Sequence, residues 1–151
     1  MNNRELSPQY KYVLTCGELA TLCGITEDKI KENLEQNESL HIRGGKTGIP
    51  PFVVKKYLNK KGFDYSSHVV AVINMRGGIG KTTVSINTAT RAKQYGFKTC
   101  IIDMDPQGST TLAFDMTPEA DDPIFYDIWQ KPDEMVMGTI KKIDEDLYII
   151  P

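Results

Sequence analysis

The first half of the chain alternates short helical patterns with one hairpin pattern. Apolar residues recur at helical spacing through residues 14–34 on both sides of Gly24, which predicts two short helices joined by a tight turn. Residues 40–49 form two β-prone segments around a glycine pair and predict a β-hairpin. Residues 52–61 resume a helical pattern with one apolar side and one lysine-rich side. The order is therefore two helices, a hairpin and a third helix.

The second half carries apolar runs that predict buried strands. A Val- and Ile-rich run predicts a strand over residues 69–74, and a helix follows from about Lys81 to Tyr95 with Gly96 at its end. A second strand is expected over residues 98–103, so that strand, helix and strand form a βαβ unit with a buried parallel sheet. Later elements are a helix that packs Phe125, Ile128 and Trp129 on the sheet, a second helix over residues 135–140 and a third strand at 147–150.

Composition and charge add a division of the chain. The formal net charge is −2, but residues 1–62 carry +3 and residues 63–151 carry −5. A small, polar and aperiodic stretch near residue 64 predicts the boundary between domains at 1–64 and 65–151. The N-terminus lacks a signal-peptide pattern, and no apolar run approaches the ~20 residues that span a bilayer. We therefore expect a cytoplasmic protein. The three cysteines form no CxxC pair, and we expect Cys16 and Cys23 to be buried free thiols, the alternative being metal ligands together with His41 or His68.

The glycine-rich segment after the first predicted strand suits a phosphate group. Backbone N–H groups, the N-terminus of the following helix and the Lys81 ammonium together favour an anion. A dinucleotide site is the alternative, but it expects a third glycine where this chain has Thr83, and it has no need of Lys81 followed by Thr82. A triphosphate with Mg²⁺ needs both, although a strict P-loop expects glycine where this chain has Met75. We therefore predict a nucleoside-triphosphate site.

The basic and amide residues of the first half are candidates for DNA contact. Three carboxylates on the second predicted helix weaken this prediction, because they repel phosphates. The combination of helix-turn-helix, hairpin and basic helix resembles a winged helix of the MerR-like kind. A helical hairpin that only packs on a partner is the alternative, with its lysines as an ordinary solvated face. The candidate DNA-binding residues are Lys29, Lys31, Asn33, Arg43, Lys46, Lys55 and Lys56.

Two motifs in the second half carry a more specific resemblance. Residues 74–83, Asn-Met-Arg-Gly-Gly-Ile-Gly-Lys-Thr-Thr, are similar to a deviant Walker A motif. Residues 102–110, Ile-Asp-Met-Asp-Pro-Gln-Gly-Ser-Thr, resemble the D-x-D-P-Q-G motif that follows it in ParA-type partition ATPases, relatives of the MinD-like proteins. The resemblance is strong over residues 69–110 and weak beyond. It implies an α/β fold in which a winged helix-turn-helix precedes an incomplete P-loop parallel-sheet domain.

The resemblance also implies roles for individual residues. Lys81 would hold the β- and γ-phosphates of ATP, and Thr82 would ligate Mg²⁺. Asp103 would support the Mg²⁺ shell through water, and Asp105 would orient the water that attacks the γ-phosphate. The alternatives are structural roles, as a strand-end cap for Asp103 and as a turn carboxylate for Asp105. The full nucleotide-binding set is Arg76, Gly77, Gly78, Ile79, Gly80, Lys81, Thr82 and Thr83.

The chain departs from the family in two places. The family has a signature lysine at position 76 that reaches the partner's phosphates in an ATP-bound dimer, whereas this chain has Arg76, which we include among the catalytic residues with Lys81 and Asp105. No apolar strand ending in a Walker B aspartate follows residue 111. We therefore expect a fragment of a longer protein, or a chain whose dimerisation covers the incomplete sheet.

The resemblance leads to one main functional hypothesis and two alternatives. The main hypothesis is a DNA-segregation ATPase that dimerises on binding ATP and Mg²⁺, associates with DNA at the nucleoid and is stimulated by a ParB-like partner. The first alternative is a DNA-binding repressor whose P-loop domain senses nucleotide without hydrolysing it. The second is a MinD-like or carrier ATPase, which the first domain disfavours.

Overall fold

The computed structural model describes residues 11–35, 38–42 and 44–151. The chain divides into two compact units. The first contains the residues up to His68 together with Arg91–Phe97, and the second contains Val69–Thr90 and Lys98–Pro151. The predicted boundary at residue 64 concerns functional domains and stays a prediction. In the part of the chain that the structure describes, no helix is both long and apolar enough to cross a membrane.

The first unit has the element order that the patterns predict, plus one short strand at its start. A three-stranded antiparallel sheet has the order β1-β3-β2, and two helices lie between β1 and β2 in sequence while a third follows β3. The elements are β1 (Leu14–Thr15), α1 (Cys16–Cys23), α2 (Glu27–Glu32), β2 (Leu40–Ile42), β3 (Lys46–Ile49) and α3 (Pro51–Lys60).

Local capping sets the bounds of the first two helices. The Thr15 hydroxyl accepts a hydrogen bond from the N–H of Glu18, whose carboxylate accepts one from the N–H of Thr15, so a capping box starts α1. Gly24, at φ 65°, ends α1 in the left-handed conformation that glycine adopts without strain. The Thr26 hydroxyl accepts from the N–H of Lys29 at 3.4 Å and so caps the start of α2.

The predicted hairpin is also present. Strands β2 and β3 pair with Leu40 opposite Gly48 and Ile42 opposite Lys46, and both Gly44 and Gly45 have positive φ in the connection. Gly48 has a different role, because a Cβ there would lie 2.8 Å from the Ile42 side chain. The strand therefore needs a residue without a side chain at that position.

The core of the first unit combines side chains from β1, β3 and the three helices. Leu22, which the helical pattern places on the apolar face of α1, is instead 44% exposed, whereas Leu19 is fully buried. Successive side chains of a helix project in different directions, and the Leu22 side chain projects away from the side of α1 on which Leu19 and Cys23 are buried. The buried cluster consists of Leu14, Cys16, Leu19, Ala20, Cys23, Ile30, Ile49, Val53, Val54 and Leu58.

Arg91–Phe97, a segment that contains the end of the helix predicted from Lys81, also belongs to this unit. The predicted glycine end is confirmed, since Gly96 has φ 90° and donates its N–H to the carbonyl of Lys93. A Cβ at Gly96 would lie 2.6 Å from the Lys55 Cβ, so close approach adds a second reason for glycine. Gln94 donates its side-chain amide to the carbonyl of Val13, which ties this segment to the start of the unit.

The second unit contains a three-stranded sheet with the order β4-β6-β5. Strand β6 pairs parallel to β4 and antiparallel to β5, so the sheet is mixed, and the prediction of a parallel sheet is only partly correct. In this unit the sequence patterns missed strand β5, which forms a hairpin with β6. The elements are α4 (Lys81–Gln94), β4 (Thr99–Ile102), α5 (Ser109–Ala113), α6 (Phe125–Gln130), α7 (Pro132–Thr139), β5 (Lys141–Asp144) and β6 (Leu147–Ile150).

The buried strand predicted over residues 69–74 is wrong. Among the described residues none pairs with this segment, and Val69 and Ile73 are 100% and 84% exposed. A β-strand depends on a neighbouring strand for its backbone hydrogen bonds, and apolar content cannot replace that neighbour. The predicted βαβ unit is therefore absent here, and the parallel pair is β4 with β6 instead.

The two predicted helices near residues 125 and 135 are present but pack differently. Helix α6 has no buried residue, and Trp129 is 76% exposed, so the prediction that α6 packs its apolar residues on the sheet is wrong. The two helices pack on each other, as expected for consecutive helices joined by a single residue. Of the three free cysteines, Cys16 and Cys23 are buried and Cys100 is exposed.

Candidate functional site

The glycine loop that precedes α4 is open around its glycines. Gly78 and Gly80 have φ of 73° and 87°, a conformation that residues with a Cβ rarely adopt. A Cβ at Gly77, Gly78 or Gly80 would meet no atom of the described residues within 4 Å. The loop therefore needs glycine for its backbone path, and the free space leaves room for a ligand to approach the backbone.

The lysine of the motif folds back onto this loop. Lys81 Nζ donates a hydrogen bond to the carbonyl of Arg76 at 3.1 Å, and Asn74 Oδ1 accepts one from the N–H of Arg76 at 2.8 Å. Both contacts engage the backbone of Arg76 and leave its side chain exposed. The ammonium is thus held at the loop, where a phosphate group bound by the loop would be in reach.

The two threonines of the motif begin α4. The N–H of Val84 donates to the carbonyl of Gly80 at 2.9 Å, which closes the first turn of the helix. Thr82 is half-buried and Thr83 is exposed. Because α4 has 14 residues, its N-terminus presents unpaired N–H groups and partial positive charge beside the loop.

The first acid of the second motif is held by helix α5. Asp103 is 7% exposed and directly follows β4, and its N–H donates to the carbonyl of Ile150. Its Oδ2 accepts two hydrogen bonds from Thr111, one from the N–H and one from the hydroxyl, both at 2.8 Å. Among the described residues, its Oδ1 accepts a single and longer bond, from the N–H of Asp105 at 3.3 Å.

The second acid is held within the turn that leads to α5. Asp105 Oδ1 accepts from the N–H of Gln107 and its Oδ2 accepts from the Ser109 hydroxyl at 2.9 Å. The N–H of Gln107, then the Ser109 hydroxyl, and finally the positive charge of Lys81 lower the pKa of the Asp105 carboxyl below its ordinary value. Asp105 is therefore an anion at neutral pH, and its charge interacts with Lys81.

Sequence reasoning named both acids but missed the two hydroxyl residues that hold them. Ser109 lies four residues after Asp105, and Thr111 lies eight after Asp103. The available signal was Gly108, whose φ of 58° turns the chain into α5 and brings both hydroxyls back to the acids. The roles predicted for Lys81, Thr82, Asp103, Asp105 and Arg76 stay predictions.

The glycine loop before α4 and the loop between β4 and α5, together called the loop pair, carry groups that fit a nucleotide with Mg²⁺. The loop would hold phosphates through its backbone N–H groups and Lys81, while Thr82 and the two acids offer the oxygen atoms that Mg²⁺ prefers. The described residues contain no group of three or more His, Cys, Asp or Glu side chains arranged to hold a metal.

The candidate DNA-binding residues of the first unit differ in their surroundings. Lys29 and Lys46 are exposed, and the Asn33 side-chain amide donates to the carbonyl of Lys29. Lys31 lies 3.5 Å from the Glu27 carboxylate, and Lys55 Nζ lies 4.8 Å from the centre of the Tyr65 ring. Lys56 forms ion pairs with Glu38 and Glu35. Arg43 lies outside the described residues.

The chain is similar to chromosome-partitioning proteins of several organisms. The chain is 43% identical over 42 residues to the chromosome-partitioning ATPase Soj of Thermus thermophilus, which is 28% of this chain and 17% of that protein. It is 46% identical over 41 residues to the chromosome partitioning protein ParA of Caulobacter vibrioides, covering 27% and 15%. No solved structure matches significantly.

A longer alignment joins both halves of the chain to one protein. The chain is 28% identical over 149 residues to a candidate replication protein A of Rhizobium rhizogenes, which is 87% of this chain and 35% of that protein. The chain thus spans between 15% and 35% of the length of these three relatives. The model of the AAA domain family matches residues 67–151. This range is more than half of the chain and includes both motifs, residues 74–83 and 102–110. The similarity to Soj and ParA supports a P-loop ATPase of the ParA/MinD type. The chain belongs to the AAA domain family.

Proposed function

We propose that this chain binds ATP with Mg²⁺ as part of a ParA-type partition ATPase. One observation carries the proposal. Lys81, the first residue of α4, places its ammonium 3.1 Å from the carbonyl of Arg76 in a glycine loop that is open on its ligand side. The match of residues 67–151 to the AAA domain family and the similarity to the ATPase Soj and the partitioning protein ParA support the same conclusion.

Each group of the site has a role in this proposal. The loop from Arg76 to Gly80 binds phosphate oxygens through its N–H groups, and Lys81 neutralises their charge. Thr82 supplies a hydroxyl to Mg²⁺, and Asp103 supports the water around that ion. Asp105, an anion tied to Ser109, orients the water that attacks the terminal phosphate. Bound Mg²⁺ supplies further neutralisation of the developing charge.

Dimerisation and partition are the finer part of the proposal. The exposed Arg76 side chain replaces the lysine that the family uses across an ATP-bound dimer, and its guanidinium can bridge two phosphate oxygens. In the whole protein, ATP would promote a homodimer that associates with DNA at the nucleoid, and a ParB-like protein would stimulate hydrolysis. The resemblance of the two motifs motivates this step, and the names of the Soj and ParA relatives support the link to chromosome partitioning.

The first unit would supply DNA contact as a winged helix. Its order β1-α1-α2-β2-β3-α3, with an antiparallel sheet of order β1-β3-β2, is that expected for a helix-turn-helix followed by a wing. Lys29 and Lys46 are exposed on α2 and at the start of β3, the positions from which these elements would reach DNA. The alternative remains a helical hairpin that packs on a protein partner.

A second candidate function is a DNA-binding repressor that senses nucleotide without hydrolysing it. Arg76 at the signature position favours this candidate, since its planar group differs in shape from a lysine ammonium. The two candidates share ATP binding and differ in turnover. A full-length protein that binds ATP and DNA but shows no hydrolysis with any DNA or partner would favour the repressor.

The first experiment tests ATP binding in the chain itself. At an ATP concentration near 100 times Kd, with Mg²⁺, binding should stabilise the fold by about 2.7 kcal/mol. Thermal melting of the wild type should therefore shift upward, while Lys81→Ala should shift far less. Lys61→Ala is the matched control, because it removes an exposed lysine at the end of α3 and should shift like the wild type. No shift in the wild type, or equal shifts in all three proteins, would contradict the proposal.

A further inference from the structure

The two oxygens of the Asp103 carboxylate have different surroundings. Both short hydrogen bonds go to Oδ2 and both come from Thr111, which is 2% exposed. From the part of the chain that the structure describes, Oδ1 receives just the 3.3 Å bond from the N–H of Asp105. One oxygen is thus saturated by α5, and the other retains capacity to accept a hydrogen bond from water.

The Thr111 hydroxyl is the second of two donors that join α5 to Asp103. The N–H of Thr111, in the first turn of α5, already donates one hydrogen bond to this carboxylate. The hydroxyl adds a second donor to the same oxygen, which fixes the rotation of the carboxylate about its bond to Cβ. Without it, the carboxylate could rotate about the one remaining hydrogen bond from Thr111, and the direction of its second oxygen would be lost.

We propose that Thr111 is a positioning residue for Asp103, and that its hydroxyl fixes the plane of the carboxylate so that the second oxygen, Oδ1, can accept a hydrogen bond from the water around nucleotide-bound Mg²⁺. This inference rests on the proposed function, because it assumes that the loop pair binds ATP with Mg²⁺. It adds Thr111, which is neither a motif glycine nor a motif acid, to the residues of the site. It also makes α5 part of the metal-dependent step of nucleotide binding.

The experiment separates positioning from simple stabilisation. ATP binding to the full chain is measured by isothermal titration in MgCl₂ and in EDTA. Thr111→Val removes the hydroxyl and preserves the shape of the side chain, and Thr111→Ser restores the hydroxyl. Thr110→Val is the matched control, since Thr110 is buried in the same helix at 6% exposure and does not bond to Asp103.

The expected result is a selective loss. In MgCl₂, Thr111→Val should weaken ATP binding by about 10-fold, the scale seen when a partner of a metal-site residue is removed. In EDTA its affinity should equal that of the wild type. Thr111→Ser and Thr110→Val should keep the wild-type ratio of the two affinities. Circular dichroism checks folding, and if Thr111→Val does not fold then Thr111→Ala is judged by the same criteria.

Two results would overturn the inference alone. They are wild-type affinity of Thr111→Val in both solutions, and an equal loss in MgCl₂ and EDTA, which would assign Thr111 a structural role only. A wild-type chain that binds no ATP in either solution would instead refute the proposed function, and the inference with it. The wild-type titration therefore distinguishes the two failures.

Discussion

The Lys56 ammonium donates a hydrogen bond to the Glu38 carboxylate, with 2.7 Å between Nζ and Oε1. Glu38 is nearly buried, whereas the Lys56 side chain is 45% exposed, so the pair lies at the edge of the first unit. A second carboxylate, that of Glu35, lies 3.7 Å from the same ammonium. One of the lysines proposed to contact DNA is therefore held by two acids of its own unit.

Release of Lys56 should strengthen DNA binding. Glu38→Gln removes the closest negative charge, and a freed lysine that contacts one more phosphate should steepen the slope of log K against log salt by about 0.9. Fluorescence anisotropy with duplex DNA across a salt series measures the slope. Glu119→Gln, which makes the same charge change in the second unit, should leave it unchanged. An unchanged slope in Glu38→Gln would place Lys56 away from DNA.

The same pair predicts a pH dependence of stability. The hydrogen bond from Lys56, followed by that from the N–H of Glu35, lowers the pKa of Glu38 below its ordinary value of 4.5. A lowered folded-state pKa means that the contribution is present above pH 4.5 and is lost as the pH falls through the folded-state value. Denaturant unfolding should therefore show a stability difference between wild type and Glu38→Gln at neutral pH that shrinks in acid. A pH-independent difference would contradict it.

Helix α1 offers a matched pair of leucines for the core. Leu19 is fully buried and Leu22 is 44% exposed on the same helix. Leu19→Ala should destabilise the chain by about 2–5 kcal/mol, because it removes buried methyl groups and leaves a cavity. Leu22→Ala should change the unfolding free energy by less than about 0.5 kcal/mol. Urea denaturation followed by circular dichroism measures both, and similar losses would mean that Leu22 is buried by a partner in solution.

These results show which features the sequence specifies locally. Thr26 and Gly96 act through atoms within five residues of themselves, so the helix bounds they set follow from the pattern. Leu22 shows the limit of periodicity, since eight residues provide little more than two turns and leave the edge of the apolar face undefined. The core of α1 was therefore predictable only in part.

Features that depend on distant residues were harder to predict. The apolar run from Val69 to Ile73 is typical of a strand, but its structure depends on a pairing partner that no local pattern encodes. The acids at 103 and 105 were found because the motif contains them. Thr111 was missed because its contact depends on the path of the loop between β4 and α5.

The proposed role of Asp105 predicts a separation of binding from turnover. In the full-length protein, Asp105→Ala should lower ATP hydrolysis by roughly 10²-fold or more, since it removes the group that orients the attacking water. ATP affinity should be retained, because the glycine loop and Lys81 are unaltered. Phosphate release and isothermal titration measure the two quantities, with Asp121→Ala as an exposed control. Hydrolysis that persists in Asp105→Ala would remove this residue from the reaction.

Arg76 predicts which steps depend on the dimer. Its backbone is held by Asn74 and Lys81 while its side chain is exposed, so a substitution there should leave the loop in place. In the full-length protein, Arg76→Ala should retain ATP binding yet lower hydrolysis by roughly 10³-fold, the scale of an arginine supplied in trans. Arg76→Lys restores the family's residue and should retain both hydrolysis and the ATP-dependent dimer, measured by analytical ultracentrifugation. Full hydrolysis by Arg76→Ala would show that this side chain does not act across a dimer, and would favour a reaction completed within one chain.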